Sequence, residues 1–164
     1  MQGAITVLLW GAAISAGLMA GIYFAFSTFL MQSLAALAGD SGMAAMQSIN
    51  RIILRSPFLP LFFASSAVCA VLAVAGLVDL KAAGGWQMTA GAGIYLLGML
   101  LVTIVGNVPL NNALDAATPG TAQGAAMWTQ YLDRWTVWNH VRTLACTLSM
   151  AMLVWAIALR WNLT

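Results

Sequence analysis

The sequence predicts an all-α integral membrane protein that folds as a four-helix bundle. Of its 164 residues, 62% are hydrophobic and only 6% are charged, and the mean hydropathy is +0.91. Apolar stretches long enough to cross a bilayer occur at approximately 5–37, 58–80, 86–113 and 137–162. We therefore expect a single transmembrane domain over residues 1–164, embedded in a lipid bilayer.

The small number of charges excludes some classes of function. The net charge is only +2 and the basic residues do not cluster, so we expect no nucleic-acid partner. Cys69 and Cys146 both lie inside apolar stretches, and one pair of cysteines cannot form a metal site alone. We interpret both as buried small hydrophobic residues.

The first apolar stretch, 5–37, carries no charged residue. It exceeds the ~20 residues that a helix needs to cross a bilayer, so the helix must tilt or project. Because no basic residues precede it, we interpret it as a retained span and not as a signal peptide. Small residues at every fourth position predict a ridge for close helix packing: Ala13, Gly17, Gly21 and Ala25.

A short amphipathic surface helix is predicted between the first and second spans. Residues 39–42 contain two glycines and break the first helix. From Met46 to Arg55, apolar residues occupy one helical face and arginines another, which indicates a helix lying on the membrane surface. Asn50 falls near the apolar face, where its amide needs a hydrogen-bond partner.

The third stretch ends in an unusual polar segment, Asn107-Val108-Pro109-Leu110-Asn111-Asn112. Pro109 lacks a backbone donor, so we expect a kink or an end there, with the amides satisfying the loosened backbone. After a break at 118–120, aromatic and polar residues continue at helical spacing from Trp128 to Arg142. The last helix is therefore predicted to start outside the bilayer and to enter it near His140.

One membrane face is predicted to carry the polar chemistry. Because successive spans alternate in direction, the ends of spans one and three meet the starts of spans two and four. The polar side chains at those ends are Tyr23, Asn50, Arg51, Arg55, Asn107, Asn111, Asn112, Asn139, His140 and Arg142. An ionisable residue at the edge of an apolar span is costly, so the region around His140, the only histidine, is the predicted functional site.

Segments along nearly the whole chain resemble the anthrone oxygenase family of small four-span membrane proteins. These segments are Ala20–Ser27, Ala45–Arg51, Asn107–Asn112 and Trp135–Thr143. Fungal members of that family oxidise the central carbon of polyketide anthrones to anthraquinones with molecular oxygen and no evident cofactor. The resemblance implies an oxygenase that takes a small hydrophobic aromatic substrate and O2, and we expect it in a bacterial inner (plasma) membrane. Whether the chain forms a homo-oligomer is left open.

The chemistry implied by the resemblance needs a base, donors for an oxyanion and an apolar slot for flat rings. His140 is predicted to be the base, because imidazole ionises near neutral pH. Arg142, Asn107 and Asn111 are predicted to bind the oxyanion. Substrate contacts are predicted for Tyr23, Asn50, Arg51, Asn112, Trp135, Trp138 and Asn139.

Other interpretations of the same residues stay open. His140 could be an axial haem ligand or a ligand of a single metal ion, although no second histidine accompanies it, and we expect no cofactor. A non-catalytic carrier of a small aromatic molecule is a further alternative. His140 and the tryptophans could be interfacial anchors, and Arg142 could pair with Asp133 or a lipid phosphate. Asn107 and Asn112 could cap a broken helix.

Overall fold

The computed structural model describes residues 2–161 of the chain, with side chains for residues 3–160. This part of the chain is helical and contains four helical stretches that are long and apolar enough to cross a membrane. We call them spans 1 to 4, and they comprise Gly3–Ala35, Phe58–Val78, Gly85–Ala116 and Ala122–Arg160. The predicted all-α membrane bundle is confirmed.

Several of the spans contain more than one helical segment. The α-helices are α1 (Gln2–Ala25), α2 (Met31–Ala35), α3 (Ser41–Ile53), α4 (Phe58–Val78), α5 (Gly85–Tyr95), α6 (Val108–Ala116) and α7 (Ala122–Trp161). Wider π-helical segments lie within spans 1 and 3, at Phe26–Leu30, Leu96–Leu101 and Thr103–Asn107. Pro109 lies in the first turn of α6, directly after the π-helical segment Thr103–Asn107, and span 3 continues through the proline. Such π segments are frequent at functional sites.

The surface helix and the long last helix lie at the positions predicted from the sequence. Helix α3 lies between spans 1 and 2, as the amphipathic pattern predicts. Helix α7 has 40 residues, which corresponds to about 60 Å, whereas the apolar part of a bilayer is only about 30 Å thick. The beginning of α7 therefore projects from the bilayer. Residue 162, the predicted end of the last span, lies outside the described residues.

Spans 2 and 3 are in close contact at one end, which we call the closed end. A β-carbon at Gly76 of α4 would overlap the hydroxyl of Thr89 and lie 2.8 Å from the carbonyl oxygen of Gly85. Only a residue without a side chain permits this approach of two helix backbones. Gly84 forms the preceding turn with φ of +73°, a conformation that glycine adopts without strain.

The small-residue ridge predicted on span 1 is only partly used. Ala13 is buried, but Gly21 is exposed, and a β-carbon there would meet no atom within 4 Å. At Gly17 it would meet only the flexible end of Met150. The prediction fails for Gly21 because positions four apart drift by about 40° per step around an α-helix. The packed face of α1 is formed by Leu9, Ala12, Ala13, Ala16, Met19, Ala20 and Tyr23.

The buried apolar residues form two separate cores. The bundle core joins the four spans and contains, among others, Leu9, Met19, Leu72, Tyr95, Met99 and Leu153. The cap core lies beneath the surface helix and contains Met31, Met43, Met46, Leu114, Tyr131 and Trp135. The predicted apolar face of α3 is thus covered by α2, α6 and the start of α7.

Candidate functional site

A cavity of about 290 Å³ lies where the bundle core meets the cap core. This volume is near the lower limit of the ~300–1,000 Å³ typical of small-molecule sites. Its lining is mainly aliphatic and aromatic. The lining residues with polar side chains are Tyr23, Asn50, Thr103, Asn111, Trp135 and Arg142. A few polar groups in an apolar cavity are the usual arrangement for orienting a small hydrophobic ligand.

Aromatic rings form one wall of the cavity. Helix α4 begins at Phe58, and Phe62 lies one turn later on the same helical face. Their rings are stacked, with centroids 6.1 Å apart. The ring of Tyr23 meets Phe58 edge-on at 6.4 Å. This wall therefore presents aromatic surface on which a flat ligand can pack.

Arg142 supplies a buried positive charge at the cavity. Its side chain is only 5% exposed, and the guanidinium carbon lies 4.3 Å from the centre of the Tyr23 ring and 5.1 Å from that of Trp135. These are cation–π distances. One terminal nitrogen, Nη2, donates to Asn139 Oδ1 at 2.7 Å, and the other, Nη1, donates more weakly to Thr103 Oγ1 at 3.4 Å. The rings and the two hydrogen bonds hold the guanidinium in place.

No carboxylate neutralises this charge. All four acidic residues of the chain are aspartates, and within the described part the ion pair that forms joins Arg51 to Asp115 at 3.4 Å, away from Arg142. Removing a cation from water costs several kcal/mol unless a counter-charge or hydrogen bonds compensate it. The cavity therefore favours an anion, or a ligand on which negative charge develops.

Two hydrogen-bond donors beside the cavity are poorly satisfied. The hydroxyl of Tyr23 and the Nε of Arg142 are both buried, and neither forms a well-aligned hydrogen bond with another described residue, although the hydroxyl interacts weakly with Thr103 and Arg142. Buried polar groups are normally hydrogen-bonded, so donors without partners beside an apolar cavity are available to an acceptor on a ligand. Their position next to the guanidinium places both donors at the positively charged end of the cavity.

Asn139 and Asn107 are buried behind the cavity wall. Asn139 Nδ2 donates to the Tyr23 carbonyl oxygen and to Ser27 Oγ, each at 2.7 Å, while its Oδ1 accepts from Arg142. Asn107 Nδ2 donates to the Trp135 carbonyl oxygen at 3.2 Å, and its Oδ1 has no partner among the described residues. Asn139 therefore joins span 4 to span 1 and orients Arg142.

A second polar network borders the cavity on the side of the cap core. Asn111 Oδ1 accepts from Tyr131 OH and from Trp135 Nε1, both at 2.8 Å. Asn50 Nδ2 donates to the Tyr131 hydroxyl at 3.3 Å, which supplies the partner that the sequence required for this amide. These bonds fix the ring of Trp135, whose indole also lines the cavity.

His140 does not share the cavity with Arg142, and its predicted position there is wrong. Asn139 and Arg142 face the interior of the bundle, whereas His140 is rotated by about 100° from Asn139 around the helix and is exposed. The buried face on this part of α7 therefore includes Asn139 and Arg142 but not His140. The position of His140 therefore gives no support to a role as base or as a ligand of a haem inside the bundle.

Besides Asn139 and Asn107, which lie behind the cavity wall, three more residues predicted to contact the substrate lie outside the cavity. Trp138 is 38% exposed, and its indole packs against the backbone of Gly106. Asn112 is exposed on α6. Arg51 is exposed on the surface helix, where it pairs with Asp115. Of the predicted residues, those that line the cavity are Tyr23, Asn50, Asn111, Trp135 and Arg142.

Several lining residues were not predicted from the sequence. Phe58 and Phe62 had a usable signal, because two aromatic residues four positions apart at the start of a span share one face. Thr103 also precedes Asn107 by one helical turn. The aliphatic residues Ile49 and Ile53 belong to the predicted apolar face of α3, but nothing in the sequence showed that this face covers a cavity.

Comparison with known families identifies one match. The model of the family described as anthrone oxygenase matches residues 57–152, which is more than half of the chain. The match covers spans 2 and 3 and most of α7, and includes Thr103, Asn111 and Arg142, whereas Tyr23 and Asn50 precede it. No curated protein and no solved structure matches the chain.

Proposed function

The chain belongs to the anthrone oxygenase family of membrane proteins, and from this membership we propose that it oxidises an activated ring carbon of a small hydrophobic aromatic compound with O2. The substrate class is a flat compound with a CH2 group that is acidic because its anion is delocalised onto a carbonyl oxygen. The reaction would take place in the cavity between the two cores.

The observation that carries this proposal is the buried, unneutralised guanidinium of Arg142. A preorganised cation in a water-poor cavity stabilises charge that develops on a substrate oxygen, and such stabilisation usually contributes more to catalysis than any other single effect. The free donors of Tyr23 and Arg142 lie at the same end of the cavity. An anionic carbonyl oxygen there would receive hydrogen bonds from both.

The reaction balances with O2 as the only oxidant. The CH2 group loses one proton, and the resulting anion transfers one electron to O2, giving a carbon radical and superoxide. Their combination forms a C–O bond, and protonation gives a hydroperoxide. Loss of water from the hydroperoxide leaves a carbonyl group, so one oxygen atom enters the product and the other leaves as water.

Arg142 also affects the proton transfer that starts this sequence. No carboxylate or imidazole lines the cavity within the described part of the chain. We therefore propose that the proton is accepted by water on the side of the cap core, where Asn50 and Tyr131 provide polar contacts. A cation beside the carbonyl oxygen favours the anion, so a weak acceptor suffices.

The proposal is tested with the full chain in lipid nanodiscs, with anthrone as the probe. Oxygen uptake and formation of anthraquinone are measured and corrected for the uncatalysed reaction in empty nanodiscs. We expect Arg142→Met to lower the rate by about 10²-fold, because the variant keeps the volume but removes the charge. His140→Gln should stay within about threefold of the parent, because His140 lies outside the cavity.

Either of two results would overturn the proposal. The first is a parent protein that takes up no more oxygen than empty nanodiscs, and the second is an Arg142→Met variant with full activity. Saturable binding of anthrone without oxygen uptake would instead identify the protein as a carrier of small aromatic molecules.

A further inference from the structure

The cavity has an opening that faces the lipid, between spans 2 and 3. Its lining includes Phe63 of span 2 and Ile104 and Val108 of span 3. These three side chains are 59%, 54% and 40% exposed, respectively. All three are apolar and belong to helices that cross the membrane. The rim of this opening is therefore in contact with acyl chains when the protein is in a bilayer.

The opening exists because spans 2 and 3 separate from one another. At the closed end they are in backbone contact through Gly76 and Gly85. Along span 3, the main contacts of α4 are with α5 and the segment Leu96–Leu101, whereas Thr103–Asn107 and α6 pack against α7. Two antiparallel helices that touch at one end and diverge at the other leave a wedge-shaped gap, and the cavity lies in it.

The surface helix covers the side of the cavity that faces the cap core. Met46 is fully buried, and Met46, Ile49 and Ile53 line the cavity from this side. The charged Arg51 is on the outer face of the same helix, paired with Asp115. Leu54, directly after this helix, also lines the cavity and is 61% exposed, so the lining residues that are exposed are all apolar.

We infer that the substrate enters and leaves the cavity sideways from the lipid, through a portal bounded by Phe63, Ile104 and Val108. The identity of the occupant, a small neutral aromatic compound, rests on the proposed function. Such a compound partitions into the bilayer because its transfer from water is favourable in proportion to its apolar area. Inside, its carbonyl oxygen meets Arg142, which lines the cavity.

The portal is tested by changing its width at Ile104. The matched control position is Leu97, which lies seven residues earlier on span 3, is 64% exposed and does not line the cavity. Binding of anthrone to the full chain in nanodiscs is followed by stopped-flow quenching of tryptophan emission, since Trp135 lines the cavity. The variants Ile104→Phe, Ile104→Ala, Leu97→Phe and Leu97→Ala are compared with the parent.

A portal affects rates more than affinity, because a substrate passes it in both directions. We expect Ile104→Phe to slow association and dissociation together by at least about fivefold, and Ile104→Ala to speed both, with Kd changed by less than about threefold. Both Leu97 variants should behave as the parent. This kinetic pattern distinguishes a portal residue from one that only contacts the ligand.

Three results would overturn the portal. They are unchanged rates in both Ile104 variants, equal effects at Leu97 and Ile104, and no saturable binding of anthrone. Oxygen uptake is not part of this measurement, so the proposed oxidation can fail while the portal stands. If both Ile104 variants oxidised anthrone at the parent rate and bound it with unchanged kinetics, the proposed function would stand and the portal would be disproved.

Discussion

The closed end of spans 2 and 3 and the cavity end are built from similar apolar helices, but they differ in whether their buried hydroxyl groups are hydrogen-bonded. Towards the closed end, the Tyr95 hydroxyl is buried and hydrogen-bonded to Ser65 Oγ at 2.7 Å. At the cavity, the Tyr23 hydroxyl is buried without a well-aligned hydrogen bond in the described chain and lies beside the unneutralised Arg142. A void, a buried charge and free donors occur together only at the cavity end of the described structure, and this combination indicates a binding site.

Unpaired polar atoms alone would not identify the cavity end as a binding site. Gln87 Oε1 and Ser149 Oγ are also buried without a partner among the described residues, but neither side chain lines the cavity. Such atoms cost stability wherever they occur. The difference is that Tyr23 and Arg142 belong to the lining of a cavity in which a ligand can bind.

The largest expected effect concerns backbone contact at the closed end. Gly76→Leu should lower the free energy of unfolding by about 3 kcal/mol, because a side chain there must push spans 2 and 3 apart. Thermal unfolding in detergent measures the loss. Gly21→Leu is the matched control, since Gly21 is exposed with open space around it, and it should leave the melting temperature unchanged. Equal effects of the two would show that the closed end is no tighter than the lipid-facing surface.

The charge at the cavity end is examined with Arg142→Lys. Lysine keeps the positive charge but lacks the planar fork that bonds Asn139 and Thr103 and stacks on Tyr23. We expect anthrone oxidation to slow by about 30-fold, or about 2 kcal/mol, less than with Arg142→Met. If lysine matched arginine, geometry would be irrelevant and only the charge would matter.

The two tyrosine hydroxyls provide the most direct comparison of the regions. Tyr23→Phe should reduce oxidation of anthrone by about tenfold and change the melting temperature little, because the hydroxyl forms no well-aligned hydrogen bond within the described chain. Tyr95→Phe should do the reverse, costing about 1 kcal/mol of stability through the lost bond to Ser65 and leaving the activity intact. Loss of stability in Tyr23→Phe would contradict the assignment of a free donor.

The smallest effect is expected at the surface helix. Arg51→Gln removes an ion pair whose side chains are 63% and 48% exposed, and exposed pairs contribute about 0.2–1 kcal/mol. Oxidation of anthrone should change by less than about twofold, because Arg51 does not line the cavity. A larger loss of activity, measured under the same conditions, would restore Arg51 as a substrate contact.

The sequence was sufficient to predict the helices, because a long apolar stretch with few charges has one stable form in a bilayer. The predicted start of span 2 at residue 58 and the surface helix after the break at 39–42 agree with α4 and α3. The predicted start of the last span at residue 137 describes where α7 enters the apolar layer and not where the helix begins. The helical spacing of residues from Trp128 to Arg142 predicted the continuity of that helix, and α7 begins before Trp128, at Ala122.

From the sequence, the end of the bundle that holds the candidate site could be predicted, but the direction of each side chain could not. Alternating spans placed Tyr23, Asn111 and Arg142 at one end, and the structure brings all three to the same cavity. The direction of each side chain could not be predicted, because the lipid-facing and buried faces of a membrane helix are both apolar. His140 and Asn139 are neighbours in the chain, yet one is exposed and the other fully buried.

The buried position of Arg142 also has a consequence for how the protein enters the membrane. Span 4 is the least apolar of the four, and an arginine that must be buried near the start of its apolar part raises the cost of insertion. Span 4 follows the other three in the order of synthesis, so Tyr23 of span 1 and Thr103 of span 3 are already in the bilayer when the arginine arrives. The guanidinium can then pack directly against its aromatic and hydroxyl partners. Insertion of the last helix therefore completes the cavity.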